Sequence, residues 1–240
     1  MAKSLLLLRA ATEGSALQDQ LAAGLASAFE DAVDITVQLL AVPSENLFYD
    51  PASPWPLPDC VLEVRSAPGK ALADAYPALD DALAGLQIAP GSLVLVMQER
   101  AFIPSAPQDC HYYQLMFRKA GLSRADYLDY YSRFHCRMGF NTPGIAGYSQ
   151  NYVDSEASAA LAARLGVATC DAESISELRM PSAEAFVANP DVMAVAEPAA
   201  EDERRFVDRA QALAFTSQSL LRLGDFEQIN EAVYPQHFPD

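Results

Sequence analysis

The sequence predicts an α+β protein made of two β-α-β-β-α-β repeats, with their antiparallel sheets facing each other to form an α/β barrel within one chain. Three observations predict it. Half of the 240 residues (51%) are hydrophobic, enough to bury both faces of two sheets. Alternating strand-like segments surround amphipathic helical ones in the same order in each half. The first three segments of each half also align at a constant offset of 110 residues. A period this long means duplicated domains and not a solenoid, and the element order is that of the ferredoxin-like split motif.

In the first half, residues 3–9 alternate and are rich in Leu, as a strand requires. Ser15 is placed to cap a helix on which Leu17, Leu21, Leu25 and Ala28 share one face. Ile35, Val37 and Leu39 alternate as a second strand. Residues 61–65 read as the third strand, 70–85 as an amphipathic helix and 92–100 as the fourth strand. The proline-rich stretch 43–58 is a long connection inside this half. Its PASPWPLP run has the chemistry of a polyproline-binding target, but a stiff surface loop with Trp55 packed down is the simpler reading.

Adding 110 to the first helix gives Tyr127, Tyr131, His135 and Met138, and adding it to the second strand gives Ile145, Gly147 and Ser149. Residues 175–180 follow as a strand. Ser182 opens helical sequence that Pro190 interrupts, a charged helical turn spans 201–208, and 213–221 closes the half as a strand. The expected division is residues 1–105 as a degenerate N-terminal repeat, 109–222 as the second repeat, and 223–240 as a tail across the outside. Pro104 and Pro107 mark the linker.

Thirty-two acidic residues against 16 basic ones give a formal net charge of −16, with no basic run to offset it. Such a surface repels phosphate backbones and anionic lipid, so neither nucleic acid nor membrane is an expected partner. The longest apolar run near the start, residues 5–8, falls far short of a signal core or a membrane span. Cysteines 60, 110, 136 and 170 lie too far apart for a paired zinc site, which fits reduced thiols in a cytoplasmic protein. There is no glycine-rich dinucleotide motif, P-loop or nucleophile elbow. No cofactor and no metal are expected.

The chemistry concentrates between residues 111 and 153. Ser123 and Asp126, just after Gly121, match a capping box, so a helix starts near Arg124. At 100° per residue, Tyr127, Tyr131, Phe134 and Met138 form its core face and His135 lies at the edge. A histidine there can act as general acid or base near neutral pH, or can simply be satisfied in a core. Its counterpart in the first half is Leu25, which transfers no proton, so one site per chain is expected. Tyr113, Tyr131, Tyr148 and Asn151 are the candidate substrate-binding groups, a Tyr or Asn holding an enolate or phenolate oxygen.

The run FRKAGLSRADYLDYYSRFH, residues 117–135, followed by GIAGYSQNY, residues 144–152, resembles the EthD domain, a branch of the dimeric α/β-barrel proteins. ISELRM at 175–180 and the acidic 201–203 followed by FVD at 206–208 resemble its later part. The likeness covers roughly residues 110–221. It departs after His135, where Cys-Arg-Met stands in place of the family's usual small residue and Pro or Leu. The N-terminal half, lacking the motif, looks like a stand-in for the second subunit of the family's dimer.

The resemblance implies a small apolar pocket between helices and sheet. It also implies a cofactor-independent acid/base enzyme of the cyclase, isomerase, dehydratase or oxygenase type, acting on a small aromatic or polyketide-like molecule. The alternative it carries is a non-catalytic small-molecule-binding or accessory protein of a degradation pathway, as EthD is in ether degradation. Some relatives of the barrel bind haem through a histidine. Because both halves share one chain, a monomer or a two-fold homodimer joined through outer surfaces is expected.

Overall fold

The computed structural model describes residues 1–224. The first half runs β1 (Ala2–Leu8), α1 (Gly14–Ala28), β2 (Ile35–Ala41), β3 (Cys60–Ser66), α2 (Tyr76–Leu83) and β4 (Leu93–Ile103). The second runs β5 (Cys110–Met116), α3 (Arg124–Tyr130), α4 (Cys136–Asn141), β6 (Gly147–Asp154), α5 (Ser155–Leu165), β7 (Ser174–Met180), α6 (Ala183–Ala188), α7 (Pro190–Glu203) and β8 (Leu213–Leu223). One turn of π-helix, Tyr131–His135, joins α3 to α4.

The eight strands close into an antiparallel barrel in the order β1-β3-β2-β8-β5-β7-β6-β4. Each half keeps the split order, β4-β1-β3-β2 and β6-β7-β5-β8, and the two sheets join edge to edge where β2 pairs β8 and β4 pairs β6. Those two seams carry the register shifts, at Leu39/Leu40 and Ala101/Ile103. A bulge bends a strand and raises its twist, which is what joining two sheets into one ring demands.

Alternation along the strands sorts the side chains between the inside of the barrel and its helix-covered exterior. Inside, an apolar layer gathers Leu5, Leu95, Leu115, Ile175 and Phe215. Toward the other end lies a polar layer of Lys3, Glu63, Arg65, His111, Glu177 and Arg179, all buried. Outside the first half, Leu17, Leu21 and Leu25 of α1 pack with Leu79 of α2 on Leu6, Leu39, Leu62 and Val94.

Two expectations need correcting. Ser15 does not cap α1: the helix begins at Gly14, Glu13 takes the cap position, and no side chain bonds there. The alanine-rich α5 is an additional helix outside the split motif. Asp154 caps it by accepting from Ala157 N at 3.0 Å, and Gly166 ends it at φ +67°. It belongs in sequence to the second half but lays Leu161 and Ala162 on the first half's core, and Ser158 Oγ accepts from Val96 N of β4 at 2.8 Å.

The connection between β2 and β3 packs down. The Trp55 ring stacks on Phe117 at 5.5 Å and its Nε1 donates to Gln211 O at 2.8 Å. Asn46 clamps the same loop to β8, donating to Thr216 O and accepting from Thr216 N. All four cysteines are free and buried. Among the described residues no helix is long and apolar enough to cross a membrane. The expected tail lies almost wholly outside the described residues.

Candidate active site

The helix carrying His135 starts as its sequence demands: Ser123 accepts from Asp126 N at 3.1 Å and donates to Asp126 Oδ2 at 2.6 Å. The π turn then changes which residues face inward. On a continuous α-helix the buried row would run through Tyr127, Tyr131, Phe134 and Met138. With the wider turn, Tyr127, Tyr131, His135, Cys136 and Gly139 are buried, while Phe134 and Met138 are only partly so. Single π turns of this kind concentrate at functional sites. Here the turn moves His135 from the helix edge to the inner face, where it is 7% exposed.

Such a turn disturbs the helical ladder, and β6 supplies a partner. Gln150 Nε2 donates to Tyr131 O at 3.0 Å and to Tyr148 Oη at 2.7 Å, and its Oε1 accepts from Tyr152 at 2.7 Å. Gly139 on α4 lets the Tyr148 ring lie directly against the helix, because any Cβ there would collide with it.

His135 is held by α7. Its Nδ1 lies 2.9 Å from Asp202 Oδ2, and Tyr130 donates to Asp202 Oδ1 at 2.6 Å. Burial works to raise the Asp202 carboxyl, but the bonds from His135 and Tyr130 outweigh it and hold it below the ordinary carboxylate range. An ionised carboxylate only accepts, so Nδ1 carries the proton and Nε2 is the nitrogen left for a bound molecule. Phe206 packs against the imidazole, with ring centres 5.0 Å apart.

His135 borders a half-open cavity of about 380 Å³ between the outer face of the second sheet and helices α4, α6 and α7. Tyr112, Gln114, Tyr148, Ser176 and Leu178 form its floor; Met138, Phe186, Val192 and Ala196 form its apolar wall. Phe48, from the long loop of the first half, closes one side and meets Tyr112 edge-on at 5.1 Å. The polar end holds Glu203, which accepts from Gln114 at 3.1 Å and from Arg209 at 2.8 Å. Burial pushes the Tyr148 phenol well above its usual range, so it stays a neutral hydroxyl at physiological pH.

Of the residues singled out from sequence, His135 and Tyr148 therefore share this cavity. Tyr131 is buried beneath the helix beside Tyr127 and Phe206 and does not line it. Tyr113 and Asn151 point to the opposite side of the sheet. Alternation is the reason: Tyr112 and Gln114 face outward, so Tyr113 faces the barrel interior, where it donates to Glu63 at 3.0 Å. Tyr148 and Asn151 are three residues apart on one strand and cannot share a face. Asn151 bonds Ile175 O inside. Asp202, Gln114, Ser176 and Glu203 were not anticipated as site residues; only the acidic run 201–203 hinted at two of them.

A closed antiparallel barrel clothed in helices, with a pocket between one helix layer and the sheet, defines an α/β-barrel protein of the dimeric-barrel type. Residues 119–210 match the EthD domain, so the second half carries that domain. Solved structures similar over nearly the whole chain include an anthrone oxidase-like protein, at 12% identity and a TM-score of 0.60, covering 97% of this chain and 96% of that one. A mutant chlorite dismutase from Candidatus Nitrospira defluvii is similar at 10% identity and a TM-score of 0.54, covering 92% and 90%. At such identities the likeness is one of fold. No curated protein matches the chain by sequence.

Proposed function

We propose that the chain is a cofactor-independent acid/base enzyme in which His135 moves a proton on a small, mainly apolar aromatic or polyketide-like molecule. The observation that carries this reading is the His135–Asp202 pair at the border of the cavity: one ring nitrogen is fixed by a carboxylate and the other is left for a ligand. A carboxylate in this position orients the imidazole and stabilises the imidazolium once a proton has been taken. Tyr148 is the proposed donor to the oxygen on which negative charge develops. The cyclase, isomerase, dehydratase and oxygenase types all begin with such a transfer.

In this reading the N-terminal half, residues 1–105, is a degenerate copy of the second, residues 109–222, and takes the place of a dimer partner. It carries Leu25 where the second half carries His135, and it lends Phe48 to the cavity. A carboxylate-held imidazole is also a sound axial ligand for haem iron, and His135 would supply it. The cavity of about 380 Å³ lies at the small end for ligand sites, which suits a few fused rings better than a macrocycle. An absorbance scan of the purified protein separates the two.

The test is a thermal-shift screen against small aromatic and polyketide-like compounds, run on the native chain and on His135→Ala. A ligand stabilises what it binds in proportion to its occupancy. A compound that raises the melting temperature of the native chain and not of the variant, and that is converted only by the native chain, is the expected result. Binding without conversion gives the small-molecule-binding protein instead. Equal shifts in both proteins place the ligand elsewhere and end the assignment.

A further inference from the structure

The polar layer inside the barrel is closed to solvent and lies across the sheet from the His135 cavity. Three carboxylates, Glu63, Glu99 and Glu177, meet three cations, Lys3, Arg65 and Arg179. Arg65 and Arg179 approach along strands β3 and β7 and form multiple bonds with their neighbours. Lys3 is different: its single ammonium is inserted between Glu63 Oε1 and Glu177 Oε2, the latter at 2.6 Å, with both carboxylates wholly buried.

Around that ammonium the donors are those a divalent metal takes. Glu63, His111 and Glu177 each offer a ligand atom, and the three atoms lie within 4.8 Å of one another. Zinc-type bonds to oxygen and nitrogen are about 2.0–2.2 Å, so donors around one tetrahedral ion sit roughly 3.3–3.6 Å apart. The observed set would have to draw in by about an ångström around an ion, a movement open to the carboxylates once the ammonium between them is gone. His111 Nδ1 is 3.2 Å from Glu177 Oε1 and 3.1 Å from Tyr113 Oη.

One more buried polar group lies beside Glu177. Asn151, fully buried, turns its amide against Glu177, with Nδ2 3.5 Å from Oε2, and its carbonyl oxygen Oδ1 has no hydrogen-bond partner among the described residues.

We propose that Lys3 is a built-in cation seated in what is otherwise a divalent-metal site of Glu63, His111 and Glu177. The ammonium neutralises the carboxylates and excludes the ion by occupying its place. The native barrel interior is therefore metal-independent, and a single substitution at position 3 opens the site.

Cobalt(II) is the probe, because its visible absorption reports coordination by protein ligands. The native chain should bind none inside the barrel and keep its melting temperature when cobalt is added. Lys3→Ala should take up one cobalt per chain, gain a visible band and melt at a higher temperature with the ion than without it. Lys3→Ala combined with His111→Ala should lose both the band and the shift. If Lys3→Ala does not fold alone, refolding with cobalt present should rescue it. The proposal is overturned by a folded Lys3→Ala that binds no cobalt, by failure of cobalt to rescue an unfolded one, by equal uptake in the native chain, or by a band that survives loss of His111.

Discussion

His135 depends on a residue 67 positions later in the chain. Asp202 fixes the imidazole through a 2.9 Å bond, and Tyr130 shares the same carboxylate. Asp202→Asn keeps the shape but replaces a pure acceptor with a group that can donate. The Nδ1 proton loses its fixed partner and the tautomer preference weakens. Nitrogen NMR of the imidazole should show the native ring protonated at Nδ1 when neutral and the variant mixed. With a substrate in hand, His135→Ala should lower turnover by roughly 10²–10⁴-fold, the usual scale for general acid–base catalysis. Asp202→Asn should cost less, and the double variant no more than His135→Ala alone, because the two residues act as one unit.

Among the elements, the π turn between α3 and α4 decides the site. It places His135 and Cys136 inward together and leaves Phe134 at the rim. Gln150 on β6 ties the turn to the sheet through Tyr131 O, and Gly139 on α4 admits the Tyr148 ring. Gly139→Ala puts a methyl group where that ring lies. Overpacking of this kind costs typically 1–3 kcal/mol; a lower urea midpoint, with Tyr148 displaced from the cavity floor, is the expected outcome. A midpoint equal to the native one would mean that α4 stands off the sheet.

For the whole molecule, ring closure leaves no barrel strand with an unpaired edge in the described residues. A second copy therefore has no strand to add to, and any dimer joins through helices or loops. Light scattering should give one or two chains, and a swapped barrel would contradict this. The interior charges set the acid response. Burial works to raise Glu99, but Arg65, Lys3 and Arg179 hold it down at about 2, and Glu177 lies well below its usual range for the same kind of reason. Groups depressed in the folded state bind protons more readily when unfolded, so their contribution is complete above the unfolded value of 4.5. It is lost as the pH falls through the folded values. Stability should be level near neutrality and decline from about pH 4.5 toward 2, followed by denaturant midpoints across that window. Glu63→Ala, which leaves three buried cations, Lys3, Arg65 and Arg179, facing only Glu99 and Glu177, should cost about 3–5 kcal/mol at neutral pH.

The sequence by itself determined the strand and helix order, the capped start of α3, and that position 135 carries an imidazole where the first half has Leu25, because periodicity, caps and the presence of an imidazole are local properties. Helix α5 was equally local, with a capping Asp154 and a terminal Gly166, but it lies outside the repeated pattern and its packing on β4 crosses between the halves. Strand alternation alone already separates Tyr148 from Asn151 and Tyr112 from Tyr113. Which of the two faces is the cavity depends on where the helices lie. Only the tertiary structure decided that the helix carrying His135 widens into a π turn, that Asp202 reaches its Nδ1, and that Lys3, Glu63 and Glu177 meet inside the barrel. Those contacts join residues 60 to 174 positions apart, and nothing in the local chain chemistry selects one such partner over another until the ring of strands has closed.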